Sequence, residues 1–175
     1  IVNKAALKTA SPTEKLMILE NELCDCAQVI VDIYSRFLFE SRFFKKREEG
    51  PLSVEEIKQL MLEAQKEAYG KGLDPQYLHP YMWTWKPHYY EADYAFYNFP
   101  YAFGLLLAKG LYGLYQKEGA AFSKTYENFL SLTGKMSIEE VGQSVGIDLT
   151  SADLWQNSID MIQEDIDLFE QLLNE

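Results

Sequence analysis

Histidine and cysteine, two of the side chains that most often bind transition metals, are scarce in this 175-residue sequence. The two histidines are His79 and His88, and no H-E-x-x-H motif is present. Cys24 and Cys26 are two residues apart in a helical pattern, where a disulfide has poor geometry, and no further Cys or His lies near them. We therefore predict reduced thiols in a cytoplasmic protein, and no metal ligand within this chain.

Positive charge is also in short supply. There are 16 Lys and Arg residues against 27 Asp and Glu residues, a net charge of −11. A nucleic-acid partner needs a basic face, so we expect none.

Long apolar runs are missing as well, because residues 105–108 (LLLA) are followed at once by Lys109. That run is too short to span a bilayer, and the acidic balance disfavours an interfacial aromatic belt. We expect no membrane partner.

Strand signals and the common catalytic motifs are absent too. The sequence has no sustained alternation of apolar and polar residues and no hairpin turn. It has no phosphate-binding glycine loop and no nucleophile elbow. What remains is helical periodicity, so we predict an all-α fold. The length favours a single helical domain over residues 1–175.

Helix starts are marked by capping residues followed three positions later by glutamate. Ser11, Ser53 and Ser137 begin such motifs, and Thr150 or Ser151 begins the last helix. Residues 1–10 have the pattern of a helix end. The predicted helices cover residues 12 to about 50, 53–69, 92–116 with a kink at Pro100, 120–132, 137–145 and 150–175.

Two of these helices carry an apolar stripe at helical spacing. In the first the stripe consists of Leu16, Leu19, Leu23, Cys26, Ile30, Ile33, Phe37 and Phe44. In the last it consists of Leu154, Trp155, Ile159, Ile162, Ile166, Phe169 and Leu173. Three glycines lie inside the helix predicted for residues 92–116, namely Gly104, Gly110 and Gly113. Because glycine destabilises a helix interior, we predict that each packs closely against a neighbouring backbone.

The most unusual stretch is the aromatic one at residues 77–103, which holds both histidines and two of the three tryptophans. Pro87 should end any helix before His88. The spacing of Tyr94, Tyr97 and Tyr101 places them on one face of the predicted helix. Tyrosine hydroxyls and a histidine N–H directed at one point could stabilise an oxyanion. Equally, they could form an aromatic core stripe with hydroxyls bonded to backbone carbonyls.

Several segments resemble the oligoendopeptidase F family, which are thimet-oligopeptidase-like zinc metallopeptidases. The resemblance covers nearly the whole chain. It is carried by residues 33–40 (IYSRFLFE), 63–70 (EAQKEAYG), 85–90 (WKPHYY), 96–104 (FYNFPYAFG), 146–150 (GIDLT) and Trp155.

The resemblance implies the C-terminal part of an α-helical zincin-like fold that encloses a narrow channel for oligopeptides. In that family zinc is bound by an H-E-x-x-H motif and a further glutamate. All of these residues lie upstream of the part of the family's sequence that this chain resembles. We therefore expect a C-terminal fragment with no zinc ligand, inactive alone and prone to self-association through an exposed face. That the chain does not begin with Met agrees with this expectation.

In that family a histidine followed by tyrosines binds the substrate and the developing oxyanion. His88 corresponds to the histidine and Tyr94 is the best match for the first tyrosine. Tyr97 and Tyr101 compete for the later positions, since Phe99 stands where some members have tyrosine. Among the remaining aromatic residues, Trp83, Trp85 and Phe103 are expected to be core. The alternative is a non-catalytic all-α domain whose aromatic stretch packs a core or binds a partner helix.

Overall fold

A computed structural model describes residues 2–174, and over this range the fold is all-α, as predicted. The described part contains no strand beyond an isolated bridge between Thr133 and Met136. A π-helical turn spans Gln28–Asp32. The α-helices are α1 (Val2–Leu7), α2 (Pro12–Ala27), α3 (Ile33–Arg47), α4 (Val54–Tyr69), α5 (Phe99–Glu118), α6 (Phe122–Leu132), α7 (Ile138–Ser144) and α8 (Ala152–Leu173).

Most predicted helix boundaries are confirmed because the capping residues act as expected. Ser53 and Ser137 each form a complete capping box, in which the hydroxyl accepts from the backbone N–H three residues on. Ser151 caps α8 by accepting from the Asp153 N–H. The last helix is predicted to end at Glu175, which lies outside the described residues. The first residue of the predicted helix end at residues 1–10, Ile1, also lies outside them.

The chain separates into two compact units, one made of residues 1–23 and 104–175 and the other of residues 24–103. One domain over 1–175 stays a prediction. No helix between residues 2 and 174 is long and apolar enough to cross a membrane.

The first unit has an apolar core formed by α5, α6, α7, α8 and the loop between α7 and α8. Its buried members are Leu111, Phe122, Phe129, Val141, Ile147, Leu149 and Leu154.

The buried face of α8 differs from the predicted apolar stripe. It runs through Leu154, Ser158, Met161 and Asp165, whereas Ile159 is 47% exposed. Two polar residues therefore occupy a face that the apolar pattern did not mark.

The buried polar residues of α8 have partners within the first unit. The Ser158 hydroxyl donates to the Leu106 and Leu154 carbonyls, at 2.7 and 2.9 Å. Asp165 forms an ion pair with Lys4. Lys109, also buried, pairs with Glu22 at 2.8 Å.

The same unit contains a largely apolar cleft of about 910 Å³.

The second unit is built on α3 and α4, with a core of Phe39, Leu60, Met61 and Ala64. The stripe prediction was wrong at Phe37 and Phe44, which are 48% and 46% exposed. A π turn holds one more residue than an α turn, so it rotates the face that follows it. Beyond it, Asp32, Ser35, Phe39 and Glu40 are buried.

Gln65 joins α4 to the loop that leads into the aromatic stretch. Its side chain is fully buried, and its amide both accepts from the His79 N–H and donates to the His79 carbonyl, at 3.0 and 2.9 Å. The His79 ring also has a local partner, because its Nδ1 accepts from the Tyr81 N–H at 3.2 Å. His79 therefore anchors the loop that precedes the candidate site.

Candidate functional site

His88 lies in a short 3₁₀ helix, Pro87–Tyr90, whose start is set by the proline. Lys86, the residue before it, is extended, as expected for a residue that precedes proline. The predicted break before His88 is thus confirmed. The ring of His88 packs against that of Tyr89, with centroids 4.3 Å apart.

The helix predicted to start at residue 92 was wrong at its beginning. Residues 92–98 form a 3₁₀ turn and further turns, and α5 begins at Phe99. Pro100 lies in the first turn of α5, where its missing N–H has no helical partner to lose, so no kink is needed. Tyr94 and Tyr97 therefore precede the helix, and only Tyr101 belongs to it.

A residue with positive φ redirects the chain just before this helix. Phe96 has φ +56°, a conformation that non-glycine residues seldom adopt. Its N–H donates to the buried carboxyl of Glu40 at 2.8 Å. Its ring lies near those of Phe37 and Phe44, with centroids 5.6 and 5.7 Å away. These contacts hold the turn and place Tyr97 and Asn98 beside His88.

All four predicted site residues come together, though not on one helix face. The centroid of Tyr97 lies 5.8 Å from that of His88, 5.5 Å from that of Tyr94 and 5.9 Å from that of Tyr101. The hydroxyls of Tyr97 and Tyr101 are hydrogen-bonded at 2.9 Å. Tyr97 is the centre of this group, which we call the His88 cluster: His88, Tyr94, Tyr97 and Tyr101.

The three tyrosines of the cluster are accessible. Tyr94, Tyr97 and Tyr101 are 46%, 43% and 49% exposed, so they do not form a core stripe. The expectation of a core residue also fails at Trp85, which is 63% exposed with the Lys86 ammonium over its ring. Trp83 does pack on the core of the second unit, and Phe103 is half-buried.

Beneath the cluster lies a chain of buried polar groups that sequence reasoning missed. Asn98, 8% exposed, bonds His88 Nε2 through its Nδ2 at 2.9 Å. Its Oδ1 lies 3.5 Å from Nη1 of Arg36. Arg36 forms an ion pair with the buried Asp32 four residues earlier. The i, i+4 spacing of Asp32 and Arg36 was the one available signal, and it is common on exposed helices.

Asp32 is held by two further partners in the second unit. Its carboxylate accepts from the Tyr69 hydroxyl at 2.9 Å and from the Gln28 amide at 2.7 Å. Burial, with the Asp32 hydrogen bond and charge, raises the pKa of Tyr69 to about 12. The carboxylate thus has donors around it, and Arg36 is firmly positioned.

The surroundings of His88 and Tyr101 favour the uncharged forms of these two side chains. Burial, aided by the positive charges of Arg36 and Lys86, lowers the pKa of His88 below its ordinary value. The hydrogen bond with Tyr97 raises the pKa of Tyr101. His88 is therefore a neutral imidazole and Tyr101 a protonated phenol, both able to donate a hydrogen bond to an oxygen.

A zinc site does not fit the residues described here. Over residues 2–174, no three His, Cys, Asp or Glu side chains are grouped so as to hold a metal ion. His88 Nε2 is occupied by Asn98, and Arg36 and Lys86 place positive charge nearby. The cluster is suited to donating hydrogen bonds rather than to binding a cation.

Comparison with known protein families gives a match over most of the chain. The family model for peptidase family M3 matches residues 12–161. No curated protein and no solved structure matches the chain.

Proposed function

Because the chain belongs to peptidase family M3, we propose that it is a segment of a zinc-dependent oligoendopeptidase and lines the peptide-binding channel. Its own contribution is the His88 cluster. The observation that carries the proposal is the geometry of that cluster. A neutral histidine and two hydrogen-bonded tyrosine hydroxyls lie together on an accessible surface. The buried side chain of Asn98 is hydrogen-bonded to the histidine ring.

The chemistry of the cluster suits peptide-bond hydrolysis. A peptide carbonyl gains negative charge as it is attacked, and preorganised N–H and O–H donors stabilise that charge. His88 and Tyr101 would supply such donors, with Tyr97 orienting Tyr101 through the bond between their hydroxyls. The substrates would be oligopeptides, because the resemblance implies a narrow channel.

The metal of this enzyme would be bound elsewhere. The described residues offer no ligand set for zinc, so no step of the reaction is assigned to a metal through this chain. In this proposal the ligands belong to another part of the enzyme, and residues 1–175 supply donors and channel wall.

The test is peptide cleavage by the full-length protein that contains this chain. His88→Ala, Tyr94→Phe, Tyr97→Phe and Tyr101→Phe are compared on a quenched fluorogenic oligopeptide. Removing an oxyanion donor typically lowers kcat by about 100- to 1,000-fold, and we expect this for His88→Ala and for at least one tyrosine variant. Tyr77→Phe is the matched control, since Tyr77 is 75% exposed and outside the cluster.

Wild-type kcat in all four variants would overturn the proposed role of the cluster. If the full-length wild type cleaves no peptide with zinc supplied, the alternative of a non-catalytic helical domain gains support. The missing ligand set in the described residues is the observation in its favour.

A further inference from the structure

We infer that Asn98 and Arg36 are positioning residues that hold the His88 imidazole as its Nδ1–H tautomer. The N–H on Nδ1 is then left to donate to a substrate carbonyl oxygen. This use of the N–H rests on the proposed function. The tautomer itself does not, because it follows from the partners of the ring.

The first step is the orientation of the Asn98 amide. One end of the amide faces Nη1 of Arg36, at 3.5 Å. A guanidinium only donates hydrogen bonds, so the end that faces it must be the carbonyl oxygen. The other end, Nδ2, therefore points at His88 Nε2, 2.9 Å away. If the amide were reversed, its NH₂ group would face the N–H groups of Arg36, and neither side could accept a hydrogen bond.

The second step follows from the direction of that bond. An amide NH₂ has no lone pair to offer, so Nε2 of His88 must accept. A neutral imidazole carries one proton, which is then on Nδ1. Protonating Nε2 as well would place its N–H against the Asn98 NH₂ group. The contact with Asn98 is therefore compatible with one protonation state of the ring.

The third step concerns why the amide cannot easily turn. Asn98 is 8% exposed, and Arg36 is held by the buried carboxylate of Asp32. Asp32 in turn accepts from Tyr69 and Gln28. Groups from α3, α4 and the π turn thus fix the orientation of one amide. Such chained hydrogen bonds in a low-dielectric interior are costly to rearrange.

The charged and titratable groups around His88 agree with this assignment. Arg36 and Lys86 contribute positive charge, which opposes an imidazolium. The charge of Asp32 is paired with that of Arg36. The aromatic rings that lie next to the His88 ring are those of Tyr89 and Tyr97.

One isosteric substitution reverses the prediction. In Asn98→Asp the carboxylate can still face Arg36, but its second oxygen only accepts hydrogen bonds. His88 Nε2 must then carry a proton, so the tautomer changes to Nε2–H. The nearby negative charge also favours the imidazolium, and the pKa of His88 is expected to rise by about one unit or more.

The experiment is ¹H–¹⁵N correlation NMR through two-bond couplings, on the uniformly ¹⁵N-labelled 175-residue chain. The sequence has only two histidines, so the spectrum contains two imidazoles. His79 is an internal reference, because its Nδ1 accepts from the Tyr81 N–H and its proton is on Nε2. We expect opposite tautomers in the wild type, with Nδ1–H at His88 and Nε2–H at His79.

The variants complete the test. Asn98→Asp should convert His88 to Nε2–H and raise its titration midpoint, while His79 stays unchanged and reports an intact fold. Arg36→Met should give a mixture of His88 tautomers. Asn21→Asp, at an exposed asparagine that donates to the Met17 carbonyl, is the matched control and should alter neither ring.

An Nε2–H tautomer at His88 in the wild type would overturn the inference. So would an Asn98→Asp variant that keeps Nδ1–H with a normal His79 pattern. Neither readout depends on peptide cleavage. If the tautomers agree but His88→Ala and the three tyrosine variants all cleave peptide at the wild-type rate, the proposed role of the cluster fails and the tautomer assignment stands.

Discussion

The carboxyl of Glu40 determines the path of the chain at the candidate site. It is 5% exposed and accepts from the N–H of Phe96, the one non-glycine residue with positive φ between residues 2 and 174. Burial raises the pKa of Glu40, because the charged form loses hydration. The carboxyl is thus required as an acceptor but disfavoured as an anion.

This conflict predicts a pH-dependent effect of Glu40→Gln. The folded-state pKa lies above the unfolded one, so ionising Glu40 lowers wild-type stability as pH rises through these values. Glutamine keeps an acceptor oxygen and cannot ionise. We expect its free energy of unfolding to exceed that of the wild type at pH 7, and the difference to shrink as pH falls to about 4, near the unfolded pKa. Urea denaturation measures both.

Glu40→Leu separates the acceptor from the charge. It leaves the Phe96 N–H without its partner, and since neither leucine nor glutamine ionises, Glu40→Leu should be about 1–3 kcal/mol less stable than Glu40→Gln at either pH. A Glu40→Gln variant that is less stable than the wild type at pH 7 would contradict the account of Glu40.

On the scale of secondary-structure elements, the glycines of α5 have different surroundings. A Cβ added at Gly110 would lie 2.8 Å from Leu154 Cγ and 2.8 Å from Ser158 Oγ, both on α8. A Cβ at Gly104 would meet nothing within 4 Å. Packing is close at Gly110 and also at Gly113, where a Cβ would contact Asn157, but the neighbouring atoms belong to side chains and not to the predicted backbone. The prediction of close packing was wrong at Gly104.

Gly110 and Gly104 form a matched pair for measuring helix packing. Gly110→Ala should lower the free energy of unfolding by about 1–3 kcal/mol, because the added methyl has no room and Ser158 is fully buried. Gly104→Ala should raise it by up to about 1 kcal/mol, because only helix propensity changes. Thermal or urea denaturation of both variants checks the contrast. Equal effects of the two substitutions would rule out the packing of α5 on α8 through Gly110.

For the whole molecule, the proposal that zinc is bound outside this chain can be tested directly. We expect the purified chain, dialysed against zinc and then against buffer, to keep substoichiometric zinc and to cleave no oligopeptide. The reason is that its described residues group no three potential ligands. Plasma mass spectrometry and a fluorogenic assay measure the two quantities. One tightly bound zinc per chain, or chelator-sensitive cleavage, would contradict this expectation.

Much of the fold could be predicted from local sequence. Ser53, Ser137 and Ser151 cap helices because a hydroxyl next to free backbone N–H groups acts locally, whatever packs above it. Pro87 ended the helical pattern before His88 for an equally local reason.

The start of α5 could not be predicted in this way. Residues 92–98 have apolar side chains at helical spacing, yet the helix begins only at Phe99. The turn before it depends on Glu40, 56 residues away from Phe96. Sequence periodicity carries no information on such a partner.

The sequence alone determined the helical class, most helix boundaries, the family resemblance that the family match confirmed, and the residues proposed for the site. Only the tertiary structure brought Tyr94, Tyr97 and Tyr101 to His88 by way of a turn, and placed Asn98 next to Nε2 of the ring with Arg36 on the far side of its amide. The physical reason is the range of the interactions. Caps and prolines act over a few residues, whereas the tautomer inferred for His88 depends on a hydrogen bond that Arg36 donates to Asn98, 62 residues away.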